Sequence, residues 1–216
     1  MAQLSREEFD AIEFDAARTG DYRSAALRMA LLAATSAQSG DMSSAEAHLR
    51  TGEQWLLADD PADAASSFRQ ALAEGGATFV DARVSLARAL FLLGQNDEAR
   101  DLVSQLEAGG RRDPRQCDLV AELLVEQSDL IGALDWANTG VELCLPEDAG
   151  AGQPASGAAA TSPGARGAEA PGALVPLRIS PTVDRNELRM LLSLRYRIRN
   201  DMGLPEDDYD KLLDDL

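Results

Sequence analysis

Large rings are scarce in this chain: aromatic residues make up 5% of its 216 residues, against 45% apolar residues in total. A core organised around aromatic side chains is therefore excluded, and Ala and Leu must fill it, which suits closely packed helices. Histidine occurs once, as His48, so no histidine cluster can hold a metal and no second imidazole can back up a catalytic base. Positive charge is also short, with a formal net charge of −17. That balance argues against general nucleic-acid binding, which neutralises phosphates, and against an anionic membrane surface. Lys211 is the only lysine among 20 basic residues. Arginine-biased usage with abundant Ala and Gly suggests a GC-rich, actinobacterial-like genome. The longest nearly apolar run, MALLAATSA, is far below the roughly 20 residues of a bilayer span. MAQLSREEFD shows no basic stretch followed by an apolar one, so no secretory signal is expected. Cys117 and Cys144 form no CxxC pair, and buried reduced thiols are favoured over a disulfide. The expected location is cytoplasmic.

What is present is helical patterning. Over residues 5–145 apolar positions recur at three and four, without strand-like alternation. Breaks fall at Gly20-Asp21, Asp59-Asp60-Pro61, Gly94-Gln95-Asn96-Asp97 and Ser128-Asp129. Each precedes an alanine, namely Ala25, Ala64, Ala99 and Ala133, at separations of 39, 35 and 34 residues. Four residues later stand Met29, Phe68, Val103 and Ala137, and three further Leu32, Ala71, Leu106 and Gly140. A small residue followed one turn later by a filler is what two crossing helices need.

The pattern resembles the tetratricopeptide repeat, whose Trp-x2-Leu-Gly-x2-Tyr, Ala-x3-Phe and Pro positions recur at about 34 residues. AEAHLRTGEQWLLADDPADAASSFRQAL fits best, with Gly52, Trp55, Ala64, Phe68 and Ala71 at motif positions. DARVSLARALFLLGQNDEARDLVSQL supplies Leu86, Ala87, Leu90, Gly94, Ala99 and Leu106. The first unit keeps Gly20, Asp21, Tyr22 and Ala25; the fourth keeps Ala121, Leu124, Ala133 and Ala137 without the aromatics. The resemblance implies an all-α solenoid of about four helical hairpins over residues 5–145, with atypical end repeats. It also implies a non-enzymatic module that holds a peptide or helix on the first helices of its repeats, without a cofactor or metal. Groove positions carried over from the family are Glu7, Asp10 and Phe14 in the first repeat, and Glu46, Leu49, Glu53 and Leu56 in the second. The third gives Asp81, Val84, Arg88 and Phe91, and the fourth Arg115, Asp118, Glu122 and Val125. Such a surface is acidic with apolar stations, so a basic amphipathic helix or basic peptide is the expected protein partner. The Lys and Asn with which one subgroup clamps terminal carboxylates are missing. His48 falls at the motif's tryptophan position and reads as packing. No GxxxxGK[ST] or strand-linked GxGxxG occurs, and no catalytic residue is assigned.

Residues 146–180, rich in Pro, Gly, Ala and Ser, read as a largely disordered linker. Residues 181–216 then read as an amphipathic helix and a short acidic one. Leu188, Leu191, Leu194, Ile198 and Met202 form an apolar stripe with Arg195 and Arg199 beside it. Gly203 stops this helix, and Pro205 is expected to start the next, with Glu206, Asp207 and Asp208 in its first turn. The stripe is expected to dock through Leu188, Leu191, Leu194, Arg195, Ile198 and Arg199, capping the last repeat, entering the groove or meeting another chain. The acidic repeats are the expected counter-surface for its arginines. The competing reading is a nucleic-acid-associated regulator that uses Arg195, Tyr196, Arg197 and Arg199.

Overall fold

The computed structural model describes residues 4–35, 40–76, 78–109, 113–145 and 185–215. Among these the chain is all-α, without a strand. Eight helices come as four successive pairs: α1 (Arg6–Thr19) with α2 (Tyr22–Thr35), α3 (Ser44–Leu57) with α4 (Pro61–Glu74), α5 (Ala82–Leu92) with α6 (Asn96–Ala108), and α7 (Pro114–Glu126) with α8 (Leu130–Cys144). After the expected linker, which lies outside the described residues, come α9 (Arg185–Asp201), α10 (Asp208–Lys211) and a 3-10 turn at Leu212–Asp215. No helix among the described residues is long and apolar enough to cross a membrane.

Each pair is built by the same local device. Gly20, Asp59, Gly94 and Ser128 all have positive φ, and each stands five residues before its repeat's alanine. This left-handed residue reverses the chain, and glycine reaches it without the Cβ clash that Asp59 and Ser128 carry. Side-chain caps follow directly. Asp21 accepts from Ser24 N (3.1 Å), Asp60 from Asp63 N (3.4 Å) and Asp129 from Gly132 N (3.0 Å). These bonds satisfy orphan N–H groups of α2, α4 and α8, whereas Gln95 before α6 makes no side-chain cap. Ala25, Ala64, Ala99 and Ala133 are each the fourth residue of their helix, and all four are buried. Met29, Phe68, Val103 and Ala137, one turn on, are buried as well.

The helices pack as two compact units, Met1–Arg112 with Leu123–Ser128, and Asp113–Glu122 with Asp129–Leu216. In the first unit each helix from α1 to α6 packs on the next, and α3 also meets α5. Leu4, Phe9, Ile12, Met29, Met42 and Ala47 join one cluster there, with Tyr22 and Leu32 against it. In the α3–α4 pair a Cβ on Gly52 would fall 2.6 Å from Phe68 Cδ1 and 2.8 Å from Cζ. The missing side chain is thus what lets the fully buried ring lie on the α3 backbone. Burying that ring contributes roughly 1.5–3 kcal/mol.

In the second unit α9 packs on α8. Leu188, Leu191, Leu192 and Ile198 are completely buried, and Leu194 nearly so. Here too a glycine sits at the crossing. A Cβ on Gly140 would lie 2.6 Å from Leu191 Cδ2 and 2.9 Å from Cys117 Cβ. Cys117 and Cys144 are both buried and unbridged, and burial with the nearby Glu187 pushes the Cys144 thiol up to about 11.

Candidate functional site

In the first unit the carried-over positions divide by exposure. Glu7, Asp10 and Phe14 project into solvent, Phe14 being 73% exposed, while Glu53, Leu56, Asp81 and Arg88 are half-buried. Val125, of the last turn of α7, is half-buried as well. Leu49 is only 1% exposed, and Glu46, Val84 and Phe91 are also buried. These four do not stand as open anchors; the chain itself covers them. The sequence pattern marks a first-helix face, but part of that face is covered by the chain itself.

Much of the polar part is also engaged internally. Arg50, a buried residue of α3, donates from Nε and Nη2 to Glu13 (2.8 and 2.6 Å) and from Nη2 to Asp10 (2.5 Å). Its guanidinium also lies 5.7 Å from the Phe9 ring centroid. The hydrogen bonds it donates to Glu13 raise its pKa further against the opposing effect of burial. Glu46 accepts from Phe79 N (2.9 Å), and Arg88 meets Glu126 at 3.2 Å. Burial pushes Asp81 up, but the hydrogen bonds and charge of Arg83 outweigh it and leave Asp81 below its usual value. His48 is half-buried, and burial holds its pKa below the ordinary value against the pull of Glu74. Arg88 is therefore tied to a carboxylate of its own unit.

In the second unit the arginines of α9 have a partner that the sequence reading placed elsewhere. Arg195, 3% exposed, donates to Asn138 Oδ1 of α8 (2.7 Å), to Asp210 Oδ1 (2.7 Å) and to both oxygens of Asp207. Its guanidinium also covers the Tyr209 ring at 4.9 Å. Arg199 donates to Asp210 Oδ2 (3.1 Å) and to the Pro205 carbonyl. The counter-surface is the acidic segment just behind, because the chain turns at Gly203 (φ 68°) and folds that segment back. The short helix also begins at Asp208 rather than Pro205. Asp207 caps it and forms a reciprocal capping box with Asp210. Burial pushes Asp207 up, yet its bonds with Arg195 and the positive charges nearby hold it below the usual carboxylate range.

A shallow cleft opens between α7 and α9, lined by Asp118 and Glu122 on one side and by Arg189, Met190, Ser193, Leu194 and Arg197 on the other. Arg189, Met190 and Arg197 are exposed, Glu122 is half-buried, and Arg115 lies exposed on α7. Asp118 is only 7% exposed. Burial, with Glu122 and Glu187, pushes its carboxyl up to about 6, against the pull of Arg115 and Arg197. Spacing alone could not mark Met190, Ser193 or Leu194 as neighbours of Asp118, because α9 comes from beyond residue 180. Among the described residues no group of three or more His, Cys, Asp or Glu could hold a metal ion.

Comparison with curated proteins finds no match, and neither does comparison with solved structures. A model of the tetratricopeptide repeat family matches residues 56–123, from the end of α3 into α7. That match, on helices already paired in repeat register, supports the tetratricopeptide repeat family, whose repeats generally mediate protein–protein interaction.

Proposed function

We propose that this protein is a non-enzymatic adaptor or chaperone-like module that holds a peptide or helix of another protein on its helical hairpins. One observation carries the reading: the four hairpins share one alanine register, and the family match falls on that register. Glu7 and Asp10 with the exposed Phe14 favour a partner that is basic and amphipathic. In this reading α9 caps α8. Its apolar face is buried there, and an uncapped terminal hairpin would show that surface to solvent. The nucleic-acid reading is weaker, since Arg195 is buried and ion-paired rather than open to phosphate.

The test is affinity capture with the full chain from extract of its native host, with and without nuclease. The expected result is a protein partner retained through nuclease treatment and lost when Glu7, Asp10 and Phe14 are replaced together by Lys, Lys and Ala. Recovery of nucleic acid alone, or retention of the same partner by the triple variant, would overturn this reading.

A further inference from the structure

Asp118 stands out among the carboxylates of the described residues. It is 93% removed from solvent, yet no hydrogen bond or ion pair is made to it by any described residue. Buried carboxylates in folded proteins are normally matched by donors, because leaving one unmatched is costly. Arg195 shows how this same unit treats buried charge elsewhere, with two carboxylates and an amide around one guanidinium. Asp118 instead lines the α7–α9 cleft, with Glu122 one turn along the helix and Glu187 close enough to raise its pKa. The cleft also carries Arg189 and Arg197, both exposed, and Arg197 with Arg115 favours the ionised carboxylate without a hydrogen bond to it. Beside them the wall facing Asp118 offers the apolar surface of Met190 and Leu194. A long aliphatic stem ending in a cation matches that wall and that carboxylate together.

We propose that the α7–α9 cleft receives a Lys or Arg side chain of a partner peptide, with its stem on Met190 and Leu194 and its charge on Asp118 and Glu122. The proposal rests on the adaptor reading and locates one contact of the partner. Binding a cation favours the ionised carboxylate, so affinity falls as pH drops through about 6.

The test begins with selection of a random peptide library on the immobilised full chain. Selected peptides are then titrated by fluorescence anisotropy against wild type, Asp118→Asn, Glu122→Gln and Phe14→Ala. Asp118→Asn removes a buried unmatched charge and is expected to fold. The expected result is enrichment of Lys or Arg beside apolar residues, with binding weakened roughly 10- to 100-fold by Asp118→Asn. Wild type should weaken between pH 7 and pH 5 by up to about tenfold, and Asp118→Asn should not. Equal binding to wild type and Asp118→Asn overturns the proposal. If binding is then lost in Phe14→Ala, the adaptor reading survives with its contact elsewhere. A selection that yields no binder overturns both.

Discussion

The α3–α4 pair and the α8–α9 pair solve the same problem with different means. In each, a helix loses a side chain at a glycine so that a large one can lie on its backbone. At Gly52 the visitor is Phe68, supplied by the same hairpin and set by the repeat register. At Gly140 it is Leu191, supplied by a helix from beyond the repeats, with Cys117 on the other side. The two glycines stand on different helices of their hairpins, Gly52 on the first and Gly140 on the second, so Phe68 closes a hairpin whereas Leu191 fastens a further helix onto one. The difference extends to charge: α3 is tied to α1 through Arg50, whereas the Arg195 cluster ties α9 both to α8 and to the segment behind it.

The largest effect is expected of Arg195→Ala. It removes the buried guanidinium from Asn138, Asp207 and Asp210 and leaves only Arg199 paired with the two carboxylates. Removal of one partner from a buried ion cluster costs up to about 3–5 kcal/mol. Hydrogen exchange should show loss of protection in α8 and α9 while α3 and α4 keep theirs; equal loss in both regions would contradict it. Next in size is Gly52→Ala, for which overpacking against a rigid ring costs about 1–3 kcal/mol. Gly140→Ala should cost less, since Leu191 Cδ2 is the mobile end of a side chain, while the helix-propensity gain of about 1 kcal/mol is common to both substitutions. Urea midpoints that rank the two in reverse would show that Cys117, not Leu191, sets the tolerance.

The two units should also differ in acid. Asp81 in the first is held low by Arg83, whereas Asp118 in the second rises from 3.8 to about 6. Between those values the folded chain holds a proton on Asp118 that the unfolded chain releases, so this group's contribution falls as pH rises. Asp118→Asn should therefore match wild type below about pH 4 and exceed it in stability above about pH 6. A constant offset at all pH values would point to packing instead. The smallest effect is expected at the turns. Asp59→Gly relieves a left-handed non-glycine residue (φ 58°) and should gain about 0.5 kcal/mol after the added chain entropy. The mirror change, Gly20→Ala, should lose about 1 kcal/mol, and both are readable as shifts in thermal midpoint.

The alanine register was legible because it depends on side-chain volume at fixed spacing, which a sequence displays directly. The turns were legible as breaks, although Asp59 and Ser128 do not advertise positive φ as Gly20 and Gly94 do. The surface was harder. Whether Leu49 or Glu46 faces a partner or a neighbouring hairpin depends on how much of the first-helix face the chain covers itself. Arg50 finds Asp10 and Glu13 across 40 and 37 residues, and nothing local announces that pairing. The Arg195 cluster was closer to view. Asp207 and Asp210 follow it by 12 and 15 residues across a glycine turn, so opposite charges on either side of a reversal were the available signal. Asp118 became distinctive only once α9 came to lie across from it.

The two thiols of the second unit also make it self-reporting. Cys117 and Cys144 are buried and unbridged, and Cys144 ionises only near pH 11. A thiol reagent at neutral pH finds almost no thiolate and no path to it while α8 and α9 stay together. Labelling then waits on opening, and its rate in the unmodified chain becomes a clock for how often the terminal helix lets go.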